Sequence, residues 1–155
     1  MLPVEQSYIM RIALGSDLSC ELTGAIERRL RERGFEPVLF GALRSGADAA
    51  WPSVGRAVGE AVSRGDCAQG ILCCWTGTGV SIAANKVGGV RAALCNDAQT
   101  ARGARVWNDA NVLALSIRSV TPAIADEIID AWFSAQPSQD GADRRMINDL
   151  KRMDE

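Results

Sequence analysis

The segment Gly70–Lys86, GILCCWTGTGVSIAANK, constrains the fold of this chain more than any other. It begins with the short apolar run Ile71-Leu72-Cys73, which is typical of a buried strand. It then breaks at Thr76-Gly77-Thr78-Gly79, and from Val80 onward the apolar residues have helical spacing. A strand, a glycine turn and a helix in this order point backbone N–H groups at an anion. The segment therefore predicts an active-site loop.

Cys74 stands at the tip of the predicted strand, directly before the glycine turn. A thiol beside the positive end of a helix is favoured as the reactive thiolate. Strand alternation puts Cys73 and Cys74 on opposite faces, so at most one of them faces the loop. The alternative interpretation is that Cys74 is a small hydrophobic core residue, as we expect for Cys67 and Cys95.

Short apolar runs alternate with helical patterns along the whole chain. The predicted strands are Tyr8–Leu14, Pro37–Phe40, Ala68–Cys73, Val90–Leu94 and Val112–Leu115, and the predicted helices cover residues 19–33, 52–63, 80–87, 98–106, 122–135 and 142–153. Continuous apolar strands are typical of a parallel sheet covered on both faces. We therefore expect one α/β domain over residues 1–155, a Rossmann-like, doubly wound sheet of five parallel strands. Residues 1–7 are predicted to form a loose N-terminal arm.

Ligands of such sheets bind beyond the carboxyl ends of the strands. Gly15-Ser16-Asp17, Cys74–Gly79 and the loop before Ala98 are predicted to lie at that edge. A dinucleotide fingerprint needs a third glycine where Ile82 stands, and the Gly-Lys-Ser/Thr of a P-loop is absent. Nucleotide binding is thus disfavoured, and a tight turn without a ligand is the alternative interpretation of the two loop glycines.

Composition excludes several classes of function. The net charge of −2 gives no reason to expect nucleic acid or an anionic membrane as a partner. No apolar run approaches the length of a membrane span, and the N-terminus lacks the pattern of a signal peptide. Five cysteines without a CxxC pair predict reduced thiols and a cytoplasmic location. The absence of histidine removes the commonest metal ligand and the commonest general base.

Four segments occur in a characteristic order between about Met10 and Met153. They are Gly15-Ser16-Asp17, Cys74-x-Thr76-Gly77-x-Gly79 with Ser81–Lys86, Gly89–Ala92, and Asn108–Leu113. In this the chain resembles the ribose-5-phosphate isomerase B family, which includes the galactose-6-phosphate isomerase subunits. The resemblance implies interconversion of aldose and ketose phosphates through a cis-enediolate, without metal or cofactor. It also implies sites buried between two subunits, hence a homodimer or a dimer of dimers whose last helix reaches the partner.

The resemblance assigns the catalytic groups to the central loop. Cys74 is expected to be the base that moves a proton between C1 and C2, because Val80 stands where other members carry a glutamate base. The N–H groups of Gly77, Gly79 and Val80 are expected to stabilise the enediolate oxygen. Thr76 is expected to hydrogen-bond the sulfur or to pass a proton between oxygens, and Ser81 is expected to support the loop.

The resemblance also implies a set of substrate contacts. Asp17 matches an aspartate that contacts sugar hydroxyls, Asn108 a substrate-binding asparagine, and Arg145 one phosphate-binding arginine, a residue type whose fork binds two oxygens. Each has an ordinary alternative. Asp17 can be a helix cap, Arg144 and Arg145 a solvated helix face, and Trp107 a packing residue.

Departures from the family pattern bear on the substrate. Leu18 and Trp107 replace histidines, the second of which the family uses to open the sugar ring, and Gly141 falls near an earlier phosphate-binding arginine. Trp75 replaces a glycine and adds bulk. Together these changes favour a short phosphorylated sugar that stays open, a tetrose phosphate first and a pentose phosphate second. The alternative is a non-catalytic sugar-phosphate-binding relative, or a subunit that needs a partner chain.

Overall fold

The structure is a computed structural model that describes residues 8–155. The predicted N-terminal arm, residues 1–7, lies outside the described residues. The strands are β1 (Arg11–Ser16), β2 (Glu36–Gly41), β3 (Gln69–Cys74), β4 (Ala92–Leu94) and β5 (Val112–Ser116). The helices are α1 (Glu21–Glu32), α2 (Trp51–Ser63), α3 (Thr78–Asn85), α4 (Ala98–Asn108), α5 (Pro122–Ser134) and α6 (Gly141–Arg152).

The five strands form one parallel sheet in the order β2-β1-β3-β5-β4. Helices α1, α4 and α5 contribute to the core on one face, and α2 and α3 contribute to the core on the other. The predicted doubly wound α/β sheet of five parallel strands is therefore confirmed. The order in which successive strands are added to the sheet reverses between β1 and β3, which is where ligands of such sheets bind.

The first strand differs from the prediction at both ends. Residues Tyr8, Ile9 and Met10 are exposed and precede the strand, because pairing with β2 begins only at Arg11 and Glu36. At the other end pairing continues to Ser16, which lies opposite Gly41 and Cys73. The strand thus carries the chain directly to Asp17.

Strand β4 and helix α4 also differ from the prediction. The strand β4 is only three residues long, because the N–H of Arg91, just before it, donates to the side-chain oxygen of Asn111. Helix α4 extends through Trp107 and Asn108, two residues beyond its predicted end at residue 106, and ends at Asp109 in the left-handed conformation. Trp107 and Asn108 are therefore presented from the last turn of a helix.

Helix α6 packs against α4 of its own chain through one buried residue, Ile147. Met146, Leu150 and Met153 are exposed. Within residues 8–155 no helix is long and apolar enough to cross a membrane. The same part of the chain contains no group of three or more side chains arranged to hold a metal ion.

Candidate active site

The carboxyl ends of the three central strands bring the predicted catalytic segment together with Asp17. Ser16 of β1 lies opposite Cys73 of β3, and Cys74 lies opposite Ser116 of β5. Asp17, directly after β1, and Cys74, the last residue of β3, therefore lie at the ends of neighbouring strands at one edge of the sheet. We call the eight residues Asp17, Cys74, Thr76, Gly77, Gly79, Val80, Ser81 and Arg118 the edge group.

Strand alternation separates the two adjacent thiols as expected. Cys73 lies in the core on the α1 and α5 side, whereas Cys74 lies with Val80 on the α2 and α3 side. Cys74 is 5% exposed, and its carbonyl oxygen accepts a hydrogen bond from the N–H of Ile117 at 3.0 Å. Burial raises the pKa of Cys73, and burial raises the pKa of Cys95 to about 12. These two neighbours therefore remain protonated thiols at neutral pH.

Only glycine fits the turn between Cys74 and α3. Gly77 has a φ of 76°, and a Cβ there would lie 2.5 Å from Cδ1 of Leu94. Within the described residues no side chain caps the helix that begins at Thr78. The N–H groups of Thr78, Gly79 and Val80 have no partner inside the helix, so they are available to an anion.

Trp51 forms a wall against this loop. A Cβ on Gly79 would lie 2.9 Å from the indole ring, so the ring packs on the glycine backbone itself. Trp51 is the first residue of α2 and is half exposed. The sequence did not assign Trp51 to the site, and the predicted helix began at the next residue. A bulky aromatic residue directly before the proline of a helix start was the available signal.

Thr76 and Ser81, the two hydroxyl residues predicted to act in the site, have distinct environments. Thr76 is exposed, and its hydroxyl lies 2.7 Å from that of Thr78. Ser81 is half-buried in the first turn of α3, where its N–H donates to the carbonyl oxygen of Gly77 at 3.4 Å. Thr76 therefore faces solvent at the mouth of the loop, whereas Ser81 closes the first turn of the helix.

One carboxylate oxygen of Asp17 has no hydrogen-bond donor within the described residues. Its Oδ1 is buried and accepts no hydrogen bond from residues 8–155. The hydroxyl of the neighbouring Ser16 is not available as that donor, because it donates to the carbonyl oxygen of Leu18 and accepts from the N–H of the same residue. A buried acceptor without a partner is costly unless a ligand supplies the donor. A sugar hydroxyl is such a donor.

Arg118 also lies at this edge, and sequence reasoning did not single it out. Its N–H donates to the carbonyl oxygen of Trp75 at 3.0 Å, and the hydroxyl of Ser116 donates to the same oxygen at 3.0 Å. The side chain is exposed and forms no ion pair within the described residues. A basic residue two positions past the last residue of a central strand was the signal that identifies it.

Three other predicted site residues lie elsewhere. Helix α4 starts after Asp97 at the carboxyl edge and runs back for 11 residues, about 16 Å, to the start of β5. Trp107 and Asn108 end this helix, and Arg145 is exposed on the adjoining α6. We call Trp107, Asn108 and Arg145 the end group. One chain does not bring the end group to Cys74.

The end group faces open surface. Trp107 is 57% exposed, and its ring lies over Gly103 on the preceding turn of α4. Asn108 borders two neighbouring surface cavities, one shared with Arg91 and α6 and the other with Trp107. These residues are thus placed to meet a second molecule rather than the core.

A doubly wound parallel sheet with a thiol and an uncapped helix at its carboxyl edge defines an α/β protein built to bind a small anionic ligand. The model of the ribose/galactose isomerase family matches residues 12–150. The D-erythrulose-4-phosphate isomerase of Pectobacterium atrosepticum is 37% identical over 129 residues, which are 83% of this chain and 85% of that protein. The ribose-5-phosphate isomerase B of Escherichia coli is 41% identical over 127 residues, or 81% and 85% of the two chains.

Solved structures agree with the sequence comparisons. The ribose-5-phosphate isomerase B of Clostridium thermocellum matches with a TM-score of 0.84 at 39% identity, covering 93% of this chain and 97% of that chain. The chain therefore belongs to the ribose/galactose isomerase family, as the resemblance implied. It is an aldose–ketose isomerase of the ribose-5-phosphate isomerase B type, a class of enzyme that acts on sugar phosphates.

Proposed function

We propose that this chain interconverts the aldose and ketose forms of a tetrose 4-phosphate, with Cys74 as the base. The observation that carries the substrate assignment is the indole of Trp107 where the family has its ring-opening histidine, in a chain without any histidine. Indole N–H is a donor with no useful acid–base range. A four-carbon sugar phosphorylated on O4 has no free hydroxyl to close a stable five-membered ring. It stays open and needs no such group.

The proposed chemistry uses the edge group. The Cys74 thiolate takes the proton from C2 of the aldose, and the electron pair of the broken C–H bond forms the enediolate. The first-turn N–H groups of α3 stabilise the developing oxyanion. Thr76 passes a proton between the two oxygens, and the Cys74 thiol returns its proton to C1. The uncapped helix start and the open position of the Thr76 hydroxyl support these roles.

The proposed substrate contacts come from both groups. The unpartnered Oδ1 of Asp17 accepts a sugar hydroxyl. Arg118 and Arg145 bind the phosphate, Arg118 taking the place of the arginine that is absent at Gly141. Arg118→Met should then raise KM for the sugar phosphate, whereas Arg102→Met, which removes an exposed arginine on α4, should not. Equal KM values for the two variants would exclude Arg118.

A homodimer, or a dimer of dimers, completes the proposed site. The end group lies a helix length away from Cys74 in its own chain, and its side chains are exposed. We infer that the end group of one copy faces the edge group of a second copy, with α6 at the contact. The separation of the two groups equally favours the alternative function, a subunit that needs a different partner chain.

The test is turnover by the purified chain alone. We would measure kcat/KM for erythrulose 4-phosphate, ribulose 5-phosphate and allulose 6-phosphate. We expect a preference for the tetrose phosphate of about tenfold or more, a ratio that corresponds to a difference of about 1.4 kcal/mol in transition-state binding. The relative from Pectobacterium atrosepticum supports including this substrate.

Each outcome has a distinct meaning. A tenfold preference for the pentose phosphate would contradict the substrate assignment and leave the isomerase class intact. Ring opening would then fall to Asp17 or to water. Absence of turnover with all three sugars, in a folded homomer, would instead favour the subunit that needs a partner chain.

A further inference from the structure

Asp109 ends α4 in an unusual backbone conformation. Its φ is 47° and its ψ is 44°, and it is the non-glycine residue with a positive φ within residues 8–155. Glycine is the usual residue at such a helix end, because any side chain adds steric strain there. An aspartate in this place therefore indicates that its side chain makes contacts that glycine could not make.

The carboxylate of Asp109 makes these contacts. Oδ2 lies 2.7 Å from Nζ of Lys151 and 3.5 Å from Nη2 of Arg91, and Oδ1 lies 3.4 Å from Nη1 of Arg105. The Asp109 side chain is only 19% exposed. Three cations from three separate segments thus converge on one partly buried carboxylate.

The backbone of the same turn is tied to the same cations. The carbonyl oxygen of Asp109 accepts from Nε of Arg91 at 2.7 Å, and that of Ala110 accepts from Nη1 of Arg105 at 2.5 Å. Arg105 is 7% exposed and lies over the ring of Trp132 in the core. The turn is therefore bound to the core through Arg105 and to α6 through Lys151.

The segments that meet at Asp109 are those that carry the end group. Asn108 directly precedes Asp109, with Trp107 before it, and Lys151 lies six residues after Arg145 on α6. We infer that Asp109 is a positioning residue, which holds the last turn of α4 and the last helix in one fixed relation. The consequence for substrate binding rests on the proposed function, whereas the coupling of α6 to α4 does not.

Three substitutions separate the backbone role from the charge. Asp109→Gly relieves the strained φ and removes the carboxylate. Asp109→Asn keeps a residue that tolerates this conformation and keeps a hydrogen-bond acceptor, but removes the charge. Lys151→Met leaves the turn untouched and removes only the contact to α6. All three should lower the protection of α6 against amide hydrogen exchange, whereas the conservative variant Lys151→Arg should keep the parental protection.

Arg152→Met is the matched control. Arg152 is the next residue on α6, and its ion pair with Asp149 lies within the same helix and is exposed. It is therefore a charge of the same sign, on the same helix, without a contact to the turn. We expect it to behave like the parent in every measurement.

The first readout is amide hydrogen exchange of the full-length protein. Residues 141–153 should lose protection in Asp109→Asn, Asp109→Gly and Lys151→Met, and should keep it in Arg152→Met. Unchanged protection of 141–153 in all three variants would overturn the proposal. This comparison needs no substrate, so it holds even if the parent turned over no sugar phosphate and the proposed function failed.

The second readout is steady-state kinetics. Loss of a positioned phosphate contact removes binding that is uniform between ground and transition states, which raises KM and leaves kcat unchanged. We expect a KM increase of about tenfold in Asp109→Asn and Lys151→Met, with kcat within about twofold of the parent. A lower kcat at constant KM would mean that the residue only maintains the amount of folded enzyme, and would overturn the positioning role.

Discussion

The edge group and the end group are held in place by different forces. The edge group follows three central strands whose backbones pair with one another, and its neighbours include the buried, protonated thiols of Cys73 and Cys95. The end group is held by ion pairs of Arg91, Arg105 and Lys151 around Asp109. One region is thus fixed by hydrogen-bonded sheet and apolar packing, whereas the helices that carry the other are packed on the core and also tied together by charge.

The difference suggests a division of labour. Proton transfer needs reacting atoms held to within a fraction of an ångström, and a rigid sheet edge provides that precision. Binding of a charged substrate tolerates more freedom, and a charged surface turn can supply it.

The largest effect should come from the edge group. Removing a general base typically costs about 10²–10⁴-fold in rate, so Cys74→Ala and Cys74→Ser should lose kcat on that scale. Cys73→Ala is the control, because it removes the adjacent thiol from the opposite face of the sheet. It should keep kcat. Proton exchange at C2 by Cys74→Ala at the parental rate would show that Cys74 is not the base.

Mixing variants of the two groups should restore activity if the site is shared between copies. In a mixed dimer of Cys74→Ala and Asn108→Ala, one site carries both defects and the other carries neither. Random pairing then yields about a quarter of the parental activity, since half of the dimers are mixed and each has one intact site. The measurement is activity after co-expression with two different tags.

A second mixture tests the same comparison. Cys74→Ala and Asp17→Asn both damage the edge group, so every site of their mixed dimer contains one defect. This mixture should show no recovery. Equal recovery in both mixtures, or in neither, would contradict a site built from the edge group of one copy and the end group of the other.

The fold was predictable from the sequence because its signals are local. Alternating apolar runs and helical patterns predicted all five strands and their parallel arrangement, and the glycine turn at Gly77 predicted a helix after it, although α3 begins at Thr78, two residues before the predicted start. The carboxyl edge followed from topology alone, which is why Asp17 and Cys74 were expected to lie together. The errors were at element ends, where pairing partners decide how far a strand continues.

The remaining features depend on contacts between distant segments. The spacing of Arg105 and Asp109, four residues apart at the end of α4, is visible in the sequence. No sequence pattern predicts that Arg91 and Lys151, which lie in other segments, reach the same carboxylate. The packing of Trp51 on Gly79 is likewise a meeting of two helix starts far apart in sequence. Periodicity reports which face of an element is apolar, but it does not report which side chains meet across elements.

A smaller effect should follow from returning a histidine to the end group. Trp107→His supplies an acid–base group that titrates near pH 6.5, at the position that the family uses for ring opening. The ratio of kcat/KM for ribose 5-phosphate to that for the tetrose phosphate should rise by about tenfold. Trp107→Phe is the control, because it reduces the bulk without adding an acid–base group. An equal rise in both variants would assign the effect to pocket size.

The smallest effect concerns the thiols that flank the edge group. Burial raises the pKa of Cys73 and of Cys95, so both stay protonated in the folded protein when the unfolded chain begins to ionise above about pH 8.5. The unfolded state then binds fewer protons, and the free energy of unfolding falls as pH rises. At pH 9 the loss should be about 1 kcal/mol or less for each thiol.

Denaturant unfolding at pH 7.5 and pH 9 measures this loss in the free energy of unfolding. Cys95→Ala should be less sensitive to this change than the parent, whereas Lys151→Met, which affects only the end group, should keep the parental sensitivity. A parental sensitivity in Cys95→Ala would show that burial of the Cys95 thiol does not contribute to the loss of stability in alkali.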